Sequence, residues 1–169
     1  QYDHSGRFIR KFGGRDNANP EENFQTAHGI VVDTRGEANV LVCSSRAANC
    51  FKLFTPDGNY LKTVPLPGGY VCRPVIKGDY LYATIIKSFE KRDGKRIDRK
   101  GFVVVLDKDY RVVSCPGGIA PSYEEGLLAG IHQVPLKQSF EHPHDVCVDD
   151  EENLYVCQWN SGKTYPIKL

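Results

Sequence analysis

Several things are missing from this chain, and each absence narrows its function. Methionine is absent from all 169 residues, initiator included. A missing signal peptide therefore excludes nothing about export. No apolar run approaches the length needed to span a bilayer, which excludes a transmembrane helix. No charge of one sign dominates. The formal net charge is +1, which gives no pull toward nucleic acid or anionic lipid. The six cysteines form no C-x-x-C pair, which excludes the usual zinc-ribbon spacing. Their number does not settle the compartment. Tryptophan occurs once, as Trp159.

What remains is an ordinary globular composition, 40% hydrophobic and 25% charged, long enough for one domain with a core. Its organisation is repetitive. FQTAHGIVVD at 24–33 and FEHPHDVCVD at 140–149 share an aromatic four residues before a His and an Asp five residues after it. Behind them come VLVCSSRAANCFKLF at 40–54 and LYVCQWNSGKTYPIKL at 154–169, which align on Cys43 and Cys157 as strand, short turn, strand. A third motif recurs as YDHSGRFIR, FTPDGNYLK and LDKDYRVVS. Gly6, Gly58 and Tyr110 hold the same place in these turns, each 52 residues from the next. A period of about 40–50 residues made of short strands is the pattern of a propeller, one four-stranded blade per repeat.

The middle repeat is more diverged. VCRPVIKGDYLYATII at 71–86 matches the start of the others, with Arg73 where they carry His28 and His144. SFEKRDGKRIDRKG at 88–101 mixes both charges and reads as an elongated, solvated hairpin. The stretch 115–138 reads as an irregular linker in which GLLAGI is compatible with one helical turn. The resulting division is an outer strand at 1–12, blades at 24–63 and 70–114, and an incomplete last blade at 139–169. Propellers close with about four blades or more. The expectation is that the chain forms the last part of a larger ring and needs an N-terminal remainder.

Placement gives the residues their chemistry. The start of the innermost strand of each blade lines the mouth of the central channel, where equivalent positions converge. His28 and His144 can therefore meet although far apart in sequence. Imidazoles on rigid strands suit zinc at about 2.0–2.1 Å, and three ligands plus an open position make a catalytic site. Two ligands are visible, an incomplete set. A His at this blade position equally serves to hydrogen-bond backbone and set blade spacing. Asp33 and Asp149 read as turn residues capping strand ends. His132 and His142 read as surface residues. Arg46, in the turn after a channel-side strand, suits either a two-pronged grip on a carboxylate or a tie to backbone carbonyls. Arg73 cannot ligate metal but can attract an anion. Trp159 suits packing between blades, and a binding surface as second choice. Cys43 and Cys50 lie on adjacent strands of one hairpin and are the only pair placed to form a disulfide.

The run F-x-x-x-H-G-I-V-V-D, followed by S-R-x-x-N and F-K-L-F-x-x-D-G, resembles NHL repeats, which build six-bladed all-β propellers. Within that group the likeness is to the peptidyl-α-hydroxyglycine α-amidating lyases. The resemblance implies an NHL-type fold with this chain supplying roughly the last three of six blades. It implies a lyase releasing glyoxylate from a hydroxyglycine-extended peptide, with zinc in the channel and calcium nearby. His28 and His144 then correspond to zinc ligands, Asp145 to a calcium-holding carboxylate, and Arg46 to an active-site Arg. The partner implied is a peptide or small-molecule substrate in the channel, in a secreted or periplasmic setting. A third His, a catalytic Tyr and a further substrate-binding Arg belong to blades this chain lacks. The other reading of the same fold is a non-catalytic propeller that binds a protein or small ligand through its top face.

Overall fold

A computed structural model describes residues 1–134, 140–162 and 165–169. The expectations for the end of the 115–138 linker, for the first residue of the last blade and for part of its closing turn lie outside the described residues. The remainder is all-β, with no α-helix among the described residues and only two short 3-10 turns. No helix is long and apolar enough to cross a membrane.

The first sheet is an antiparallel meander of β1 (Ala27–Asp33), β2 (Val40–Ser45), β3 (Cys50–Phe54) and β4 (Tyr60–Pro65), in that order. The second holds β5 (Gly69–Lys77), β6 (Tyr80–Arg92), β8 (Phe102–Leu106) and β9 (Val112–Ser114), with β7 (Lys95–Arg99) extending the far end of β6. A two-stranded ribbon, β10 (Tyr123–Glu124) and β11 (Leu127–Leu128), follows in the linker. It corrects the helical turn expected at GLLAGI: Glu125 and Gly126 both take positive φ and turn the chain tightly back. The third sheet is β12 (Pro143–Val148), β13 (Leu154–Gln158) and β14 (Ile167–Lys168).

Up-and-down meanders stacked face to face, each led by its repeat-motif strand, are organised as propeller blades are. The turn repeat is visible in the backbone. Gly6, Gly58 and Tyr110 all adopt left-handed conformations, with φ of 78°, 85° and 64°. The first turn copy closes only as a bridge between Tyr2 and Phe8.

The middle sheet is buried on both faces, and alternation in β8 shows why. Phe102, Val104 and Leu106 pack with Val42, Phe51, Leu53 and Val71 in one core. Val103 and Val105 point the other way, into a second core with Phe140, Val146 and Val156. An apolar run with no polar alternation is what a strand buried on both faces requires. Phe51, Phe54 and Phe102 are completely buried, each worth about 2–3 kcal/mol of apolar burial.

All six cysteines are free thiols. Cys43 lies opposite Lys52 and Cys50 opposite Ser45, so the two that shared a hairpin do not face each other. Burial raises the Cys43 and Cys115 thiols to about 12, which leaves both protonated and inert.

Candidate functional site

The three sheets share one irregularity at one place. In β1 the register slips between Ala27 and Ile30, in β5 between Val71 and Pro74, and in β12 between Pro143 and Asp145. Each slip is one extra residue on the leading strand, a β-bulge. The residue that follows the last paired position before each slip is His28, Cys72 or His144, which corrects the expected alignment: the middle sheet carries Cys72 at the place of the two His, and Arg73 falls at the place of Gly29 and Asp145. A bulge re-aims a side chain that strict alternation would send to one face. Gly29 is part of the device. A Cβ there would lie 2.7 Å from the Arg73 Cα, so only glycine lets β1 approach β5 this closely. Its amide is held by Ser44 Oγ at 2.8 Å.

The two imidazoles meet. The His28 and His144 rings lie edge to face with centroids 4.9 Å apart, although they belong to the first and third sheets. Arg46 joins them. Its placement comes from a 3-10 turn (Arg46–Ala48), pinned by the amides of Arg46 and Ala47 bonding the carbonyls of Thr26 and Gln25. Asn49, in the left-handed region, ends that turn. The guanidinium, rather than tying backbone carbonyls, donates from Nη2 to Cys72 Sγ at 3.2 Å and lies 3.4 Å from His144 Nε2. An arginine only donates, so His144 Nε2 accepts. The ring is then neutral with its proton on Nδ1.

Electrostatics agree with that protonation. Burial first, and then the positive charge of Arg46, hold the His144 imidazole below its ordinary value, with Asp145 opposing. The same order of causes lowers His28, with a further contribution from His144. Both rings are therefore uncharged at neutral pH. His28 Nδ1 and Arg46 Nε are buried with no hydrogen-bond partner. Buried polar atoms in folded proteins are nearly always bonded, so these two set the site apart from the satisfied polar groups around it. Open space lies on both sides. His28, with Phe24 and Ile30, lines a cavity of about 760 Å³. Arg46, with Trp159 and Tyr70, lines another of about 650 Å³.

The neutral imidazoles fit two positions of a zinc ligand set, since a metal ligand must present an unprotonated nitrogen. They do not complete it. No group of three His, Cys, Asp or Glu side chains could hold a metal among the described residues. Asp145, the expected calcium ligand, faces Arg73. Arg73 Nη2 grips its Oδ2 at 2.9 Å, and Oδ1 accepts the Val146 amide at 2.9 Å and Arg73 Nε at 3.3 Å. A cation at Asp145 would therefore share the carboxylate with Arg73. Arg73 in turn faces a carboxylate of its own chain.

Other residues depart from their expected places. Trp159 is not packed between sheets: it is 57% exposed, with its ring 6.1 Å from His142 and 6.5 Å from His144. His132 Nε2 lies 3.0 Å from Glu90 Oε2, with its side chain 22% exposed. His142 has a buried Nδ1 and belongs beside the site rather than on the surface. Asp33 and Asp149 do hold turns, accepting the amides of Arg35 and of Glu151 and Asn153. Sequence reasoning missed Cys72, which sits beside Arg46 and one residue before Arg73. The repeat would have found it with an alignment shifted by one residue: Cys72 lies at the bulge position that His28 and His144 hold in the other sheets.

No family model matches this chain, and no curated protein matches it. Solved structures do. Virginiamycin B lyase from Staphylococcus aureus aligns with 86% of this chain and 70% of its own, at 12% identity and a TM-score of 0.31. A candidate 6-phosphogluconolactonase from Bacteroides uniformis aligns with 99% of this chain and 62% of its own, at 13% identity and a TM-score of 0.36. This chain thus spans less than two thirds of the second protein. Superpositions this loose leave the chemistry to be argued from the residues themselves.

Proposed function

We propose that the chain is part of an NHL-type, six-bladed propeller whose central channel carries a lyase-like, metal-assisted site for substrates bearing a carboxylate. One observation carries this reading: imidazoles from two separate sheets converge at equivalent bulges with an uncompensated guanidinium between them. Arg46 has no carboxylate partner among the described residues, and its Nε is unmatched. It is the group that would hold a substrate carboxylate by two parallel hydrogen bonds. His28 and His144, kept neutral, would each give one nitrogen to zinc. The third ligand has to come from outside the described residues. Zinc, when bound, would polarise a substrate oxygen and make a hydroxyl easier to ionise. Cys72 stays a buried, protonated thiol that positions Arg46, since burial raises it and only then does Arg46 pull it down.

The test uses the full-length protein. Metal analysis should find one zinc per chain, lost in His28→Ala and in His144→Ala. An α-hydroxyglycine peptide should release glyoxylate, with loss of release in Arg46→Ala. Metal-free protein that binds no added zinc removes this reading.

One observation favours the second reading, a non-catalytic propeller that binds an anionic ligand. Arg46 Nη2 occupies the very nitrogen of His144 that a metal needs. In that case ligand binding depends on Arg46 and is indifferent to chelators.

A further inference from the structure

The charged segment 88–101 does more than fill solvent. β6 and β7 form a long hairpin closed at Asp93 and Gly94, both at positive φ. A two-residue Asp-Gly turn of this kind matches the twist of paired strands. The hairpin forms one wall of the 650 Å³ cleft, and Arg46 and Trp159 stand on the other side. That volume is within the range of about 300–1,000 Å³ used by small-ligand sites.

The cleft is electropositive by construction. Five cationic side chains line it against two carboxylates, Asp98 and Glu141, which leaves three positive charges in excess. The chain as a whole carries +1, so the excess is local. Asp98 is spent on Arg96 at 2.7 Å and Glu141 on Lys100 at 2.6 Å. Arg99 is paired with Glu90, which lies outside the cleft. Arg46 and Lys87 have no ion-pair partner among the described residues. Arg96 is held still by Tyr70 OH at 3.1 Å and by stacking 4.2 Å over the Phe89 ring. A second observation points to a ligand. Arg46 Nε, Arg99 Nε and His142 Nδ1 are all buried without a hydrogen-bond partner, and all three side chains line this cleft.

We propose that the cleft is a subsite for the acidic end of a peptide. Its terminal carboxylate would meet Arg46, Asp or Glu side chains just before it would meet Lys87 and Arg96, and its apolar surface would lie on Trp159. The placement of the terminal carboxylate rests on the proposed lyase site; the preference for acidic residues does not. A cation-lined cleft with low-dielectric walls attracts anions and rejects cations, and surface screening makes that preference fall with salt.

Three peptides, identical except for Glu-Glu, Gln-Gln or Lys-Lys before the last residue, would be titrated into the full-length protein by calorimetry. Fluorescence of Trp159, as a lone indole in this region, gives a second readout. The Glu peptide should bind about tenfold tighter than the Gln peptide, a difference of about 1.4 kcal/mol, and the Lys peptide weakest. The advantage should vanish in Lys87→Glu and shrink in Lys87→Gln, with both variants melting as the parent does. It should also shrink at high salt. Equal affinity for Glu and Gln peptides, a preference that survives Lys87→Glu, or no binding of any peptide overturns the proposal. Repeating the series with a terminal α-hydroxyglycine separates the two claims. Preference without glyoxylate release keeps the cleft and sinks the lyase; release without preference does the reverse.

Discussion

Among the polar junctions between sheets, two are finished in opposite ways. At the first, Asp33 of β1 meets Arg35 and Tyr110. Arg35 donates Nε and Nη2 to the two carboxylate oxygens at 2.9 and 2.7 Å, and Nη1 to the carbonyls of Asp79 and Asp107. Tyr110 OH adds a bond to Asp33 at 2.8 Å. The Arg35 and Asp33 side chains are only 4% and 5% exposed. At the second junction, Arg46 meets a thiol and an imidazole, and neither is an anion. His28 Nδ1 and Arg46 Nε have nothing. Even a partly buried cation gains little stability without a counter-charge. The first junction is a fastening between the first and second sheets. The second, on the proposed reading, is a receptacle.

Breaking the fastening should give the largest effect. Asp33→Ala leaves Arg35 buried and unpaired, which costs about 3–5 kcal/mol, read by chemical denaturation. The same carboxylate sets an acid dependence. Burial alone would raise Asp33, but hydrogen bonds from Arg35 and Tyr110 outweigh it and hold it below its ordinary value. Its contribution is therefore complete above the unfolded carboxyl value near about 4 and is lost as pH falls through the lower, folded value. Asp33→Asn should flatten that acid slope. An unchanged denaturation midpoint in Asp33→Ala would show that the fastening carries no load.

The next effect tests whether the receptacle is loose in its backbone or only in its side chains. Gly101 lies where the second sheet meets the third, next to β12. A Cβ there would fall 2.0 Å from the Ile85 carbonyl oxygen and 2.5 Å from Pro143. Gly101→Ala should cost about 1–3 kcal/mol through forced displacement. A neutral result would mean that the sheets flanking His144 slide freely. Tyr110→Phe comes third, at about 1.5 kcal/mol, because it removes one hydrogen bond to a charged oxygen and leaves the Arg35 fork intact.

These differences mark what the sequence could and could not show. The repeat exposed the strands, the shared turn position of Gly6, Gly58 and Tyr110, and the equivalence of His28 and His144. Each of those is local, or a matter of counting. The bulges were less visible, because one extra residue in a strand changes pairing without changing composition; Gly29 inside an alternating run was the only trace. The Asp33–Tyr110 bond joins residues 77 apart, and nothing in either segment announces the other. Segment 88–101 looked solvated because its charges are mixed. Which of them are spent on each other, and which face a cleft, is decided by the opposite wall. The exposure of Trp159 has the same origin, since packing against His142 and His144 depends on how β12 and β13 sit against the middle sheet.

The smallest effect on stability should come from the receptacle itself. Arg46→Gln removes a partly buried cation that has no anion, so the lost bond to Cys72 is offset by relief of an unmatched charge. The denaturation midpoint should move less than in Tyr110→Phe. Its electrostatic effect should nevertheless be visible. Arg46 is second only to burial among the causes that depress both imidazoles, and Asp145 is the carboxylate that opposes it. The His28 and His144 titrations, followed by NMR, should have midpoints below the ordinary 6.5, and both should rise in Arg46→Gln. The sign for the parent follows. The unfolded chain takes up protons at these two rings before the folded one does, so stability falls as pH drops below about 6.5, and less steeply in the variant. Unmoved midpoints would mean that Arg46 does not face these rings, and the contrast between a satisfied junction and an unsatisfied one would fail.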